Sequence, residues 1–157
     1  MIGRTLEQFD DDKMIPAYGF GDNFSRDRAV LPFKKGPAGK ARPCHGVEEV
    51  LVRYEKIAKK VILAGPTSFA PLIYEAIRLV KLERQYHILV IIADGKVDSR
   101  KDETVKAIVD ATAHPLSIIM IGVGDGPWET MEEFDDELPE RQFDNFQFVE
   151  FNEIKVN

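Results

Sequence analysis

The sequence contains one cysteine, Cys44, so no internal disulfide can staple the chain, which fits a reducing compartment, cytoplasmic or nuclear. The adjacent His45 makes a Cys-His dipeptide, which offers two ligands where structural zinc takes four. No apolar run approaches the roughly 20 residues that span a bilayer. The first residues lack the basic, apolar and small-residue order of a secretion signal. Positive charge is short: 21 Lys and Arg stand against 27 Asp and Glu, for a net −6. A nucleic-acid binder draws its affinity from neutralising phosphates, so that balance argues against one.

Catalytic and nucleotide motifs are missing too. "GVGDGP" puts Pro127 where a dinucleotide fingerprint needs its last glycine, and Gly39-Lys40 runs into Ala41 rather than the Ser or Thr of a P-loop. No nucleotide cofactor is expected. "GPTSF" is not a nucleophile elbow. Asp10-Asp11-Asp12 lacks the spaced oxygens and distal glutamate of a calcium loop and reads as a solvated turn. His45, His87 and His114 are scattered, and His87, inside an apolar run, reads as a hydrogen-bonded core histidine. No catalytic constellation emerges.

What is present is an ordinary globular composition, 44% apolar and 31% charged over 157 residues, enough for one domain with a buried core. Met1, Ile2, Leu6 and Phe9 fall at helical spacing. "MIPAYGFGD" (14–22) reads as a short buried strand, and "AVLPF" (29–33) as an edge strand, where Pro32 is tolerated. A helix over 47–58 would bury Val47, Val50, Leu51, Tyr54 and Ile57. Another, after "VILAGP", would bury Phe69, Leu72, Ile73, Ala76, Ile77 and Val80, with Pro71 in its first turn. "YHILVIIAD" (86–94) and "LSIIMIGVG" (116–124) are apolar without alternation, as in strands covered on both faces of a parallel sheet. A helix near 101–113, an acidic helix from Pro127 to about Asp136, and an alternating strand "FQFVEF" (146–151) complete the pattern. The regular alternation predicts an α/β fold with helices on both faces of a mostly parallel sheet.

Charge is unevenly distributed. Arg26, Arg28, Lys34, Lys35, Lys40 and Arg42 face a single acid, Asp27, within 26–42, while 129–140 carries seven acids. The basic stretch suits a solvated connection, an acidic partner or anionic lipid.

Three predicted strands end alike: Gly19-Phe20-Gly21-Asp22, Ala93-Asp94-Gly95, and Gly122-Val123-Gly124-Asp125-Gly126. Ligands of open α/β sheets sit outside the carboxyl ends of parallel strands. Glycine permits close approach and aspartate supplies a hard oxygen for a cation, yet both are also default turn residues.

"LAGPTSFAPLI", "QYHILVIIADGKV", "GVGDGPW" with "FDNFQFV", and "IGRTLEQFDDDKMIPAYGFGD" together resemble the copine domain. This is the von Willebrand factor A-type domain of copines and of RING-type ubiquitin ligases, and the likeness is closest to the ligase branch. It spans almost the whole chain, 1–157, apart from the basic loop. It implies a Rossmann-like, six-stranded, mostly parallel sheet with a metal-ion-dependent adhesion site on its carboxyl edge. In the family, an Asp-x-Ser-x-Ser loop after the first strand, a threonine and an aspartate build that site. Thr67 matches the threonine and Asp94 the aspartate; as a residue on its own, Thr67 reads first as a helix N-cap.

No Asp-x-Ser-x-Ser sequence occurs here. The resemblance therefore implies a chain that starts within the helix after the family's first, central strand, lacking that strand and its metal loop. Thr67 and Asp94 would form a partial site holding Mg2+ or Ca2+ weakly, at about millimolar affinity or worse. It also implies an intracellular, non-catalytic module that binds a protein partner. A RING needs about eight Cys and His zinc ligands, which this composition cannot supply. Lacking C2 domains, a calcium-dependent phospholipid-binding copine fragment would associate poorly with membranes.

Overall fold

The computed structural model describes residues 12–94, 101–136, 138 and 141–154, and the chain forms two compact units, Met1–Gly65 and Pro66–Asn157. The helix expected over Met1 to Phe9 lies outside the described residues.

In the first unit, strands β1 (Met14–Ile15) and β4 (Cys44–His45) pair antiparallel, as do β2 (Tyr18–Gly19) and β3 (Leu31–Pro32). The single strand read over 14–22 is thus two short pieces in separate sheets. Pro16 stands between them with no N–H for a ladder, which accounts for the break. Pro32 sits in a two-stranded edge ladder, where its missing donor is tolerated. Cys44 is fully buried and burial pushes its thiol up, whereas the next residue, His45, is exposed. The dipeptide behaves as strand packing.

Helix α1 (Gly46–Ala58) opens with Gly46 at φ 68°, a conformation that favours glycine. Its N-cap, His45, contributes no side-chain cap; instead Glu49 Oε2 accepts the His45 backbone N–H at 2.6 Å. The expected stripe is only partly inward. Val47, Val50 and Ile57 are half-buried, while Leu51 and Tyr54 are more than half exposed. Glu49 and Arg53 turn the helix by binding the 33–34 segment, so polar contacts compete with the apolar stripe for the inner side.

The second unit holds a parallel sheet of β5 (His87–Ala93), β6 (Leu116–Gly122) and β7 (Phe146–Glu150), in that order. Helices α2 (Ala70–Glu83), α3 (Lys101–Ala111) and α4 (Glu129–Asp136) accompany it, with a short turn of helix, α5, at Phe151–Ile154. The face expected of α2 is the one buried, from Phe69 through Val80, with Pro71 in the first turn. Arg84 ends α2 in the left-handed region at φ 56°. Central β6 buries Leu116, Ile118, Met120 and Ile121. Ile108 of α3, Phe134 of α4 and Phe146 of β7 are buried too, the last two meeting edge-to-face at 6.0 Å.

β5 departs from expectation. Ile91 is buried, but Ile88 and Ile92 are 41% and 60% exposed, so the strand is not covered on both faces by the described residues. The strand order accompanies it: among the described residues β5 is the edge of its sheet, and β6, paired on both sides, is the strand that meets the expectation. His87 is half-buried and hydrogen-bonded as expected, with Nδ1 3.0 Å from the Gln85 carbonyl and Nε2 2.8 Å from Glu83.

Candidate functional site at the carboxyl edge of the parallel sheet

Parallel pairing brings the carboxyl ends of β5, β6 and β7 to one rim. Ala93 is in register with Gly122, and Gly122 with Glu150. The Val123 N–H donates to the Ala93 carbonyl at 2.9 Å, carrying the pairing one residue past β6. Asp94 leaves β5 on this rim and is exposed, as is Asp125 in the loop after β6. Asn152 Nδ2 donates to the Gly124 carbonyl at 2.9 Å, tying the segment after β7 to that loop.

Thr67 belongs to the same unit and stands three residues ahead of α2. Only 84–86 separate α2 from β5, so the helix runs back along the strand. Fourteen helical residues span about 21 Å and seven strand residues about 23 Å, so the two elements match in length. A helix and strand so joined and so matched would bring the N-terminal end of α2, with Thr67 three residues ahead of it, toward the end of β5. Thr67 is half-buried and does not cap the helix. Ser68 Oγ accepts the Ala70 N–H at 3.3 Å, and the N-cap position itself, Phe69, contributes no side-chain cap, so the capping role expected as the alternative for Thr67 is not realised.

The third Gly/Asp ending belongs to the first unit. Gly19 to Asp22 follows an antiparallel pair in the other unit, and the Asp22 carboxylate is engaged locally. Its Oδ1 accepts from the Phe24 N–H at 2.8 Å, the Ser25 N–H at 2.6 Å and the Ser25 hydroxyl at 2.9 Å. Burial raises the carboxyl, but these donors outweigh it and leave the group below its ordinary value. Asp22 is a turn residue.

The glycines of the β6 loop also have structural employment. A Cβ on Gly122 would stand 2.8 Å from the Trp128 ring and 3.0 Å from Phe148, so glycine here admits the indole that packs on Phe148 at 5.5 Å. Gly124 and Gly126 take φ of 103° and 79°. Sequence reasoning missed the Trp128 and Asn152 contacts, because neither side chain carries a periodicity or a motif.

Magnesium takes six oxygens in near-octahedral array. Thr67 offers a neutral hydroxyl and Asp94 a carboxylate, and among the described residues no three His, Cys, Asp or Glu gather as a metal cluster. Between them Thr67 and Asp94 supply two oxygen-bearing groups of the kind such an ion takes.

The family model described as copine matches residues 1–157. The E3 ubiquitin-protein ligase RGLG1 of Arabidopsis thaliana is 53% identical over 166 aligned residues, covering 98% of this chain and 33% of that protein. Copine family protein 1 of Caenorhabditis elegans is 49% identical over 154 residues, covering 98% of this chain and 14% of that protein. The chain thus spans about a third or less of these relatives' length. The crystal structure of the SpRpn10 VWA domain superposes with a TM-score of 0.65 at 14% identity, over 96% of this chain and 71% of that one. That likeness carries the fold, which is of the von Willebrand factor A type. Among the described residues, no helix is long and apolar enough to cross a membrane.

Proposed function

The chain belongs to the copine family, and from that premise we propose that it acts as a non-catalytic protein-interaction module with an incomplete metal-ion-dependent adhesion site at Thr67 and Asp94. The observation that carries this reading is the rim itself. Asp94 follows the end of β5, Thr67 precedes the start of α2, the helix that feeds β5 through 84–86, and Thr67 makes no capping hydrogen bond to that helix. One carboxylate and one hydroxyl support weak binding of Mg2+ or Ca2+, at about millimolar affinity or worse. Titrating magnesium while following the melting temperature tests this. Little change below millimolar metal is expected; a rise of several degrees at submillimolar metal overturns it.

A second reading is favoured by the relatives named E3 ubiquitin-protein ligases: this segment is the substrate- or partner-binding part of such a ligase. One cysteine and three histidines cannot furnish the about eight ligands of a RING, so ubiquitin transfer would need a RING from elsewhere. With ubiquitin-activating and conjugating enzymes, this chain alone should form no conjugates. Conjugates formed under those conditions would refute the non-catalytic assignment. Either reading places the module inside the cell, in cytoplasm or nucleus.

A further inference from the structure

We propose that the basic hairpin 33–42 is a docking surface for an acidic segment of a partner protein, an inference that rests on the interaction-module reading and specifies it. The hairpin has a definite geometry. Lys35 bridges Ala41, the Arg42 N–H donates to the Lys34 carbonyl at 2.9 Å, and the Gly36 N–H donates to the Lys40 carbonyl at 2.7 Å. A single 3-10 turn, Pro37–Gly39, forms the tip. Its base is fixed to α1: Lys34 Nζ meets Glu49 at 2.9 Å, Arg53 binds the same carboxylate at 2.8 Å, and Phe33 packs on Tyr54 at 6.3 Å.

Of the four hairpin cations, Lys34 is consumed in that anchorage. Lys35, Lys40 and Arg42 are exposed and make no ion pair among the described residues. Arg42 is also positioned, since its side chain lies so close over Gly36 that a Cβ there would stand 2.5 Å from Nε. A guanidinium held along a rooted hairpin loses less freedom on meeting a carboxylate than one on a free loop.

Charge selects the partner. Met1–Gly65 carries 12 Lys and Arg against 9 Asp and Glu, while Pro66–Asn157 carries 9 against 18. A nucleic acid, whose affinity comes from neutralising many phosphates, is disfavoured by the chain's net charge of −6. A membrane surface is engaged by apolar anchors or by about four to eight clustered cations. Here the tip is Pro37-Ala38-Gly39, which has nothing to insert, and three cations fall short. A short acidic segment matches three fixed cations.

The test uses the full chain and a fluorescein-labelled polyglutamate peptide, with polyglutamine as the neutral control, read by fluorescence anisotropy. The chain should bind polyglutamate with an affinity that falls as salt rises. Combining Lys35→Gln, Lys40→Gln and Arg42→Gln should weaken binding by about tenfold or more, whereas Lys59→Gln, Lys60→Gln and Lys81→Gln, an equal charge change elsewhere, should cost less than about threefold. Absence of binding overturns the inference, as do equal losses in the two variants. Hairpin-dependent capture by phosphatidylserine-containing vesicles in preference to the peptide overturns it in favour of lipid. A chain that fails these assays yet captures a protein partner with the hairpin neutralised ends this inference and leaves the module reading intact.

Discussion

Asn152 and Gly124 are joined across the carboxyl rim by a 2.9 Å hydrogen bond, although 28 residues separate them in sequence. The bond pins the loop after β6 to the segment leaving β7. It holds one side of the edge on which Asp94 and Asp125 stand.

Asn152→Ala should therefore loosen that loop before it affects the fold. Urea unfolding should show a loss of about 0.5–1.5 kcal/mol, the usual worth of one such bond. Amide exchange should rise first at 124–126.

Gly122→Ala should cost more, about 1–3 kcal/mol, because the new methyl displaces Trp128 from Phe148. Trp128 is the sole tryptophan, so a shift of its fluorescence toward the solvent-exposed maximum reports the displacement directly.

Glu49 is held down to about 2 by the His45 N–H first, then by Lys34 and Arg53. A carboxyl lowered on folding contributes stability above its unfolded value, near 4.5, and loses it as pH falls toward 2. Glu49→Gln should thus melt below the parent chain at pH 7. The gap in melting temperature should close progressively between those two values on acidification. A gap independent of pH would refute the assignment.

Thr67→Ala and Asp94→Ala should each change stability by less than about 0.5 kcal/mol, since Thr67 does not cap α2 and Asp94 is exposed. Whatever response to millimolar magnesium the parent shows in a thermal melt should vanish in both. A response surviving in Asp94→Ala would move the ion elsewhere.

Arg84→Gly should stabilise the chain by about 1 kcal/mol, because glycine takes the left-handed conformation at the end of α2 without the Cβ penalty. Thermal denaturation against the parent measures it.

Much of this was legible before any coordinates. The buried face of α2 could be read because one helix face needs only local periodicity, and Phe69 through Val80 supply it. The fold class followed from alternating strands and helices. Other features were not legible for a common reason. Whether an apolar strand is central or at an edge depends on its neighbours, so β5 and β6 read alike yet differ in exposure. The inner side of α1 was decided by Lys34 and Phe33, which reach it from a separate hairpin.

The sequence by itself determined the family, the order of elements and the residue types available for chemistry, because these depend on composition and short-range spacing. Only the tertiary structure decided that Asp22 serves a turn, that Ser68 and not Thr67 meets the helix N–H, and that Gly122 makes room for an indole. Each of these is a question of which atom arrives within hydrogen-bonding or van der Waals range, and that depends on the folded path of the backbone, which residue type and spacing alone do not fix.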